Sequence, residues 1–260
     1  KKKQVVLINK REFYRNLARL ALPIALQSLM LAAVAAGDAL MLGKVAQDEM
    51  TAVSLATQIQ FVQNMFLSAA TAAGGILGAQ YWGKGDKKTL EGIFNLMLWF
   101  CSIVSMLFFL ACELIPELLM HIFTHDASLI VIGNAYLRIA GWSYLITGIS
   151  QCYLTTMKVS EHIKPGAFIS CFAVILNICL NAVFIFGLFG APRMQARGAA
   201  LATTISRVVE LILCVMVSAK TSYIRPAFDR FMRLSKQLRF DFIRQCLPLM
   251  GGSLCWGIGF

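Results

Sequence analysis

The sequence predicts an all-α integral membrane fold, a bundle of six transmembrane helices followed by the start of a seventh. Three observations carry this expectation. Apolar residues make up 58% of the 260 and charged residues only 14%, too few charges to give every helix of a water-soluble domain a wet face. Six apolar runs, at 20–43, 52–82, 92–116, 128–157, 166–190 and 198–219, are each long enough, at about 1.5 Å per residue, to cross a hydrocarbon core of about 30 Å. When these runs are threaded back and forth, 19 of the 24 basic residues fall on one side, in 1–19, 84–88, 158–164 and 220–244. By the positive-inside rule that side is cytoplasmic, so the expectation is a multi-pass plasma-membrane protein with its N-terminus inside. The same distribution argues that the net charge of +11 serves membrane orientation and not nucleic-acid binding.

The first run holds one ionisable residue, Asp38, and its only other strongly polar side chains are Gln27 and Ser28. An acid at the centre of a membrane helix costs about 2.5 to 3.5 kcal/mol, which makes such a residue a functional hypothesis by default. Five residues from the end of its run, Asp38 could also simply snorkel to the interface. The basic start followed by apolar residues and Ala35-Ala36 mimics a secretory signal, but five further spans favour a retained helix.

In the second run Thr57, Gln60, Asn64, Ser68, Thr71, Gly75 and Gly78 recur at three- and four-residue steps. With Gln63 and Met65 nearby, this stripe could line a polar, adaptable cavity, since Met is compliant at promiscuous sites. Gln60, Asn64 and Met65 are the candidate lining residues. The Gly74-xxx-Gly78 pair reads instead as a close helix contact. A turn at 82–88 leads to the third run. The fourth contributes Tyr144 and Gln151, facing either a substrate or another helix.

After a turn at Lys164-Pro165-Gly166, the fifth run places Asn177 and Asn181 four apart on one helix face. Gly187, Gly190 and Pro192 punctuate the outer link. The sixth run carries Thr203 and Thr204 near its outer end, with Arg207 and Glu210 spaced to neutralise each other. Counted from the outer ends, Asp38 lies about 8 Å deep, Thr203 about 9 Å, Asn181 about 14 Å and Asn177 about 20 Å. A carboxylate among amide and hydroxyl oxygens is a hard-oxygen set suited to Na⁺. Equally, burial penalises the ionised carboxylate, so Asp38 could carry a proton. The Asn and Thr residues could also be interhelical hydrogen-bond glue.

The eight cysteines form no CxxC or Cys/His cluster and read as small buried hydrophobes, not as a disulfide framework or metal site. His121, His125 and His162 fall in or near loops, so no catalytic constellation is expected and the chain does not read as an enzyme.

The segment 220–245 alternates apolar with basic residues and reads as an amphipathic helix on the cytoplasmic leaflet. Beyond it Arg244, Leu247, Pro248, Ser253 and Leu254 repeat Arg19, Leu22, Pro23, Ser28 and Leu29 at an offset of 225. Parallel repeats with a site between them are a transporter architecture. The expected organisation is therefore a six-helix lobe over 1–219, a linker over 220–245, and over 246–260 the truncated start of a second lobe.

Leu22-Pro23 with Asp38 fifteen residues after the proline, GGILGAQYWGKGD over 74–86, and NICLNAVFIFG then RGAALATTISR between 177 and 207 together resemble the N-terminal lobe of the multidrug and toxic compound extrusion (MATE) transporters. The resemblance covers essentially the whole chain. It implies a twelve-helix, two-lobe exporter that works by alternating access and exchanges organic, often cationic or aromatic, compounds for H⁺ or Na⁺. It also implies a cation site at the positions of Asp38, Asn177, Asn181 and Thr203. Some members place an aspartate where this chain has Asn181. The implied partners are small organic substrates, the bilayer and the missing C-terminal lobe, with no cofactor beyond the coupling ion. A related flippase for lipid-linked sugars or polysaccharide would need a wider, more basic cavity, and Arg138 and Arg207 are the only cations that fall within the runs.

Overall fold

The computed structural model describes residues 14, 22, 25, 29, 37, 41–44, 46–221 and 236–258, with the side chains of 221 and 258 excepted. Asp38 and most of the first run lie outside the described residues, as does 222–235 of the linker. Helices cover Gln47–Gly83, Lys87–Leu114, Pro116–His121, Ala127–Val159, Ile163–Phe186, Gln195–Thr221 and Lys236–Ile258, and among the described residues there is no strand. The chain is thus an all-α integral membrane protein.

Four helices are long and apolar enough to span a bilayer on their own account: Lys87–Leu114, Ala127–Val159, Ile163–Phe186 and Gln195–Lys220. These are the expected third to sixth spans. The second-span helix, Gln47–Gly83, does not meet that standard although it is 37 residues long. Its polar stripe lowers its hydropathy, and the neighbouring helices supply the apolar surroundings it lacks. The third run also ends earlier than expected, at Leu114. Pro116, which has no N–H to continue the ladder, starts a separate short helix, Pro116–His121, after a break at Ile115.

Turn chemistry fixes the ends. Asp86 caps the third span, accepting from Thr89 N at 3.1 Å and from Thr89 Oγ1 at 2.6 Å. The Thr89 side chain, followed by its backbone N–H, holds the Asp86 carboxyl below its ordinary value. Asp126 caps the fourth span through Ser128 N at 2.9 Å, and its carboxyl is lowered for the same reason, the Ser128 hydroxyl first. The fifth span stops at Gly187, whose φ of 73° is the left-handed conformation glycine accepts most readily.

The fourth span is the hub, packed against the second, third and sixth, while the fifth packs chiefly on the sixth. The core has two parts. Towards the Lys84 end, Leu67, Phe94, Met97, Met157 and Ile169 cluster. Towards the other end, Leu42, Ile59, Tyr136, Tyr144, Ile185 and Ala200 do so. At Gly74, an added Cβ would collide with Met97 Sδ, and at Gly78 it would lie 3.1 Å from Leu90 and Val159. This end of the stripe is therefore a close helix contact.

The last helix runs unbroken from Lys236 to Ile258 with Pro248 inside it, so among the described residues no break separates linker from seventh helix at 245/246. Leu238, Phe242 and Cys246, spaced four apart, are buried in the core, while Phe240, Ile243 and Leu247 are exposed. All eight cysteines are free; Cys179 and Cys255 are exposed rather than buried. Both are on helices whose apolar outer faces are open in this chain.

Candidate functional site

The fifth and sixth spans meet through small residues. Gly198 sits so close to the fifth span that a Cβ there would lie 2.8 Å from Phe184 O, and Ala199, Ala200 and Ala202 continue the seam, all buried. This approach brings the predicted polar residues together. Asn181 Nδ2 donates to Asn177 Oδ1 at 3.2 Å, and Asn177 Nδ2 donates to Thr203 Oγ1 at 3.3 Å. Asn181 is fully buried and Asn177 nearly so. Three of the four expected cation-site residues thus form one hydrogen-bonded chain across two helices. Thr204, the neighbouring candidate, turns the other way: its Oγ1 donates to Ile139 O of the fourth span at 3.1 Å, which makes it interhelical glue.

The fourth member, Asp38, lies outside the described residues. Leu42, four positions later, is buried in the same apolar cluster as Ile185, itself four positions after Asn181.

A second site is a cleft of about 860 Å³ between the second-span helix and the last helix. Gln60, Asn64 and Met65 lie along one wall, together with Phe61; Trp256 and Gly257 form the other, and Phe123 reaches in from just beyond the short helix Pro116–His121. The Phe61 and Trp256 rings are 6.0 Å apart, and Met65 packs directly on Gly257. Among the described residues, none that lines this cleft is charged.

Tyr144 and Gln151 are elsewhere. Tyr144 is completely buried in the core, and Gln151 is half-buried on the fourth span, outside the cleft lining. Gln63, next in sequence to the lining residues, points inward instead: its Nε2 donates to Tyr144 O at 2.9 Å and to Ser105 Oγ at 3.3 Å. It joins the second, third and fourth spans. Arg207 and Glu210 form the expected ion pair at 2.8 Å, with Glu210 buried.

Sequence reasoning missed two features. Glu49, at the start of the second-span helix, accepts from Ala196 N at 2.9 Å and so caps the first turn of the sixth span from 147 positions away. No local signal marks such a cap. Phe61 and Trp256 are aromatic residues inside apolar segments, which nothing in the sequence distinguishes from core.

The MatE family profile matches residues 23–183. The uncharacterized transporter YisQ of Bacillus subtilis is 25% identical over 94% of this chain and 53% of its own length. A probable multidrug resistance protein, NorM, of Bradyrhizobium diazoefficiens is 27% identical over 92% of this chain and 50% of its own. Among solved structures, the Vibrio cholerae MATE transporter VcmN in its bent form superposes with a TM-score of 0.83 at 17% identity, over 94% of this chain and 54% of that one. A MOP superfamily transporter from Pyrococcus furiosus gives 0.79 at 18%, over 91% and 52%. At these identities the structural likeness is one of fold. The chain spans about half the length of the curated relatives it matches. With the profile covering more than half of its residues, the chain belongs to the MatE family.

Proposed function

We propose that the chain is the N-terminal lobe of a multidrug exporter, a cation-coupled antiporter that exchanges H⁺ or Na⁺ for organic, often cationic or aromatic, compounds by alternating access. The observation that carries this reading is the buried chain from Asn181 through Asn177 to Thr203. It is an uncharged oxygen-bearing wall that needs one acidic partner to become a cation site. The shared burial of Leu42 and Ile185 supports Asp38 as that partner. Counted along the sequence from the outer ends of their runs, Asp38 and Asn181 fall in the same outer half, about 8 Å and about 14 Å deep. Asp38 is then the titratable member, and the amides and hydroxyl complete its coordination.

The cleft at Phe61 and Trp256 is the substrate-facing surface in this reading. Aromatic rings attract flat cations through their faces, and the uncharged lining favours such compounds over lipid-linked sugars. The N-terminus and linker are cytoplasmic by their charge, and the lobe works as a transporter rather than as an enzyme.

The test uses the full-length protein in proteoliposomes loaded with ethidium. Imposed H⁺ and Na⁺ gradients are compared, and efflux driven by one of them supports the reading. Ethidium movement indifferent to both gradients would refute cation coupling.

A further inference from the structure

A second cleft, of about 350 Å³, opens where the second-span helix ends and the last helix begins. Gln80, Tyr81 and Lys84 line one wall, and Asp241, Arg244 and Gln245 the other. From Asn64 to Lys84 is twenty residues, or about 30 Å of helix, so this cleft is remote from the export surface and plays no part in the function proposed above.

Its chemistry is specific. Lys84 and Arg244 supply two cations and Asp241 one carboxylate, yet none of the three takes part in an ion pair among the described residues. Gln245 Oε1 is buried without a hydrogen-bond partner among them, which leaves a buried acceptor beside the carboxylate. Such an acceptor carries a desolvation penalty until a donor reaches it. The cleft therefore presents two donor groups for an anion and two acceptor groups for hydroxyl or amine donors. Its formal charge is +1, so a ligand with a single negative charge neutralises it and a zwitterion does not.

The surroundings say where such a ligand comes from. Arg244 shares its helix face with Phe240 and Leu247, at four- and three-residue steps, and both are exposed. An anion reaching Arg244 thus has an apolar strip beside it. Basic pockets between helices at the cytoplasmic side of a membrane are sites for anionic lipid headgroups.

We propose that this cleft binds the headgroup of a singly anionic phospholipid. The phosphodiester lies between Lys84 and Arg244, headgroup hydroxyls donate to Asp241 and Gln245 Oε1, and the acyl chains follow Phe240 and Leu247. A lipid held there links the last helix to the six-helix lobe. The bound chemistry, a phosphate anion, is shared with free phosphate, and the experiment separates the two.

The test is thermal unfolding of the full-length protein in neutral detergent, with short-chain phosphatidylglycerol, phosphatidylmethanol, phosphatidylcholine or inorganic phosphate added. Phosphatidylglycerol is expected to raise the unfolding midpoint saturably, phosphatidylmethanol to do so more weakly because it lacks hydroxyls, and the other two to leave it unchanged. Lys84→Gln and Arg244→Gln should each weaken the apparent affinity for phosphatidylglycerol about tenfold or more, the loss expected for a charge-assisted hydrogen bond. Lys87→Gln, at a neighbouring exposed residue outside the cleft lining, should not. Equal stabilisation by phosphatidylcholine, or unchanged affinity in Arg244→Gln, overturns the proposal. A shift reproduced by inorganic phosphate alone overturns the lipid assignment. Should a variant fail to fold, the ranking of the four additives on the unaltered protein decides.

Discussion

Asn177 on the fifth span donates through Nδ2 to Thr203 Oγ1 on the sixth at 3.3 Å, and its own Oδ1 is held by Asn181 one turn along. Asn177 is thus the pivot of the polar chain, with both ends of its amide engaged. Asn177→Ala removes two hydrogen bonds, whereas Thr203→Val removes one and keeps the volume. Interhelical hydrogen bonds in membrane proteins average about 0.6 kcal/mol and reach about 1.7. Thr203→Val is therefore expected to cost under about 1 kcal/mol and Asn177→Ala about twice that, measured by thermal unfolding in detergent. Equal losses would contradict the pivot.

Gln63 joins three spans from a position with no exposure. Gln63→Ala deletes the bonds to Tyr144 and Ser105 and leaves a cavity, for an expected loss of about 2 to 4 kcal/mol. Gln63→Leu refills the volume and should recover more than half. The buried thiols of Cys101 and Cys152 report the unfolding through a thiol-reactive dye.

Glu49 caps the sixth span from the second. Glu49→Ala should destabilise by about 1 kcal/mol, as for loss of a helix cap, while Glu49→Gln retains an acceptor and should lose less. The first turn of that helix is the place to read it. Hydrogen exchange at 195–200 should accelerate in Glu49→Ala and stay near the parent rate in Glu49→Gln.

Asp86 gives a pH dependence with a definite sign. Its carboxyl is held below the ordinary 3.8 by Thr89, so its contribution to the cap is fully present above 3.8 and fades as pH falls through the lower folded-state value. The fluorescence of Trp82, kept as the sole tryptophan, should report loosening of the turn below 3.8. Asp86→Asn keeps an acceptor but no titration, so its signal should stay flat across the same range.

The apolar runs were legible because span length and charge asymmetry are properties of sequence alone. The third to sixth spans, the Asp86 turn and the Arg207–Glu210 pair all appear where the residues suggested. The helical period identifies which residues share a face but not what that face meets. Proximity in sequence alone grouped Gln63 with Met65, although the first is an internal cross-link and the second lines a cleft. The helical period likewise could not separate Thr203 from Thr204, one residue and about 100° apart on the helix. The Glu49 cap and the Phe61–Trp256 pair join segments 147 and 195 positions apart, beyond any local pattern. Asn177, Asn181 and Thr203 could be grouped because each is polar in an apolar run at a similar depth, a cost that has to be offset by a partner.

In the proposed function Asp38 converts an ion gradient into a conformational bias. Asn177, Asn181 and Thr203 do not change charge at physiological pH, and an ion shifts a two-state equilibrium only by its differential affinity for the two states. The direct measurement is gradient-driven ethidium efflux by the full-length protein carrying Asp38→Asn, in proteoliposomes with insertion checked separately. Ion-driven efflux is expected to be abolished with insertion intact, and Asn181→Ala is expected to weaken it less. Full H⁺- or Na⁺-driven efflux by the Asp38→Asn protein would contradict that role of Asp38 and place the coupling outside this lobe.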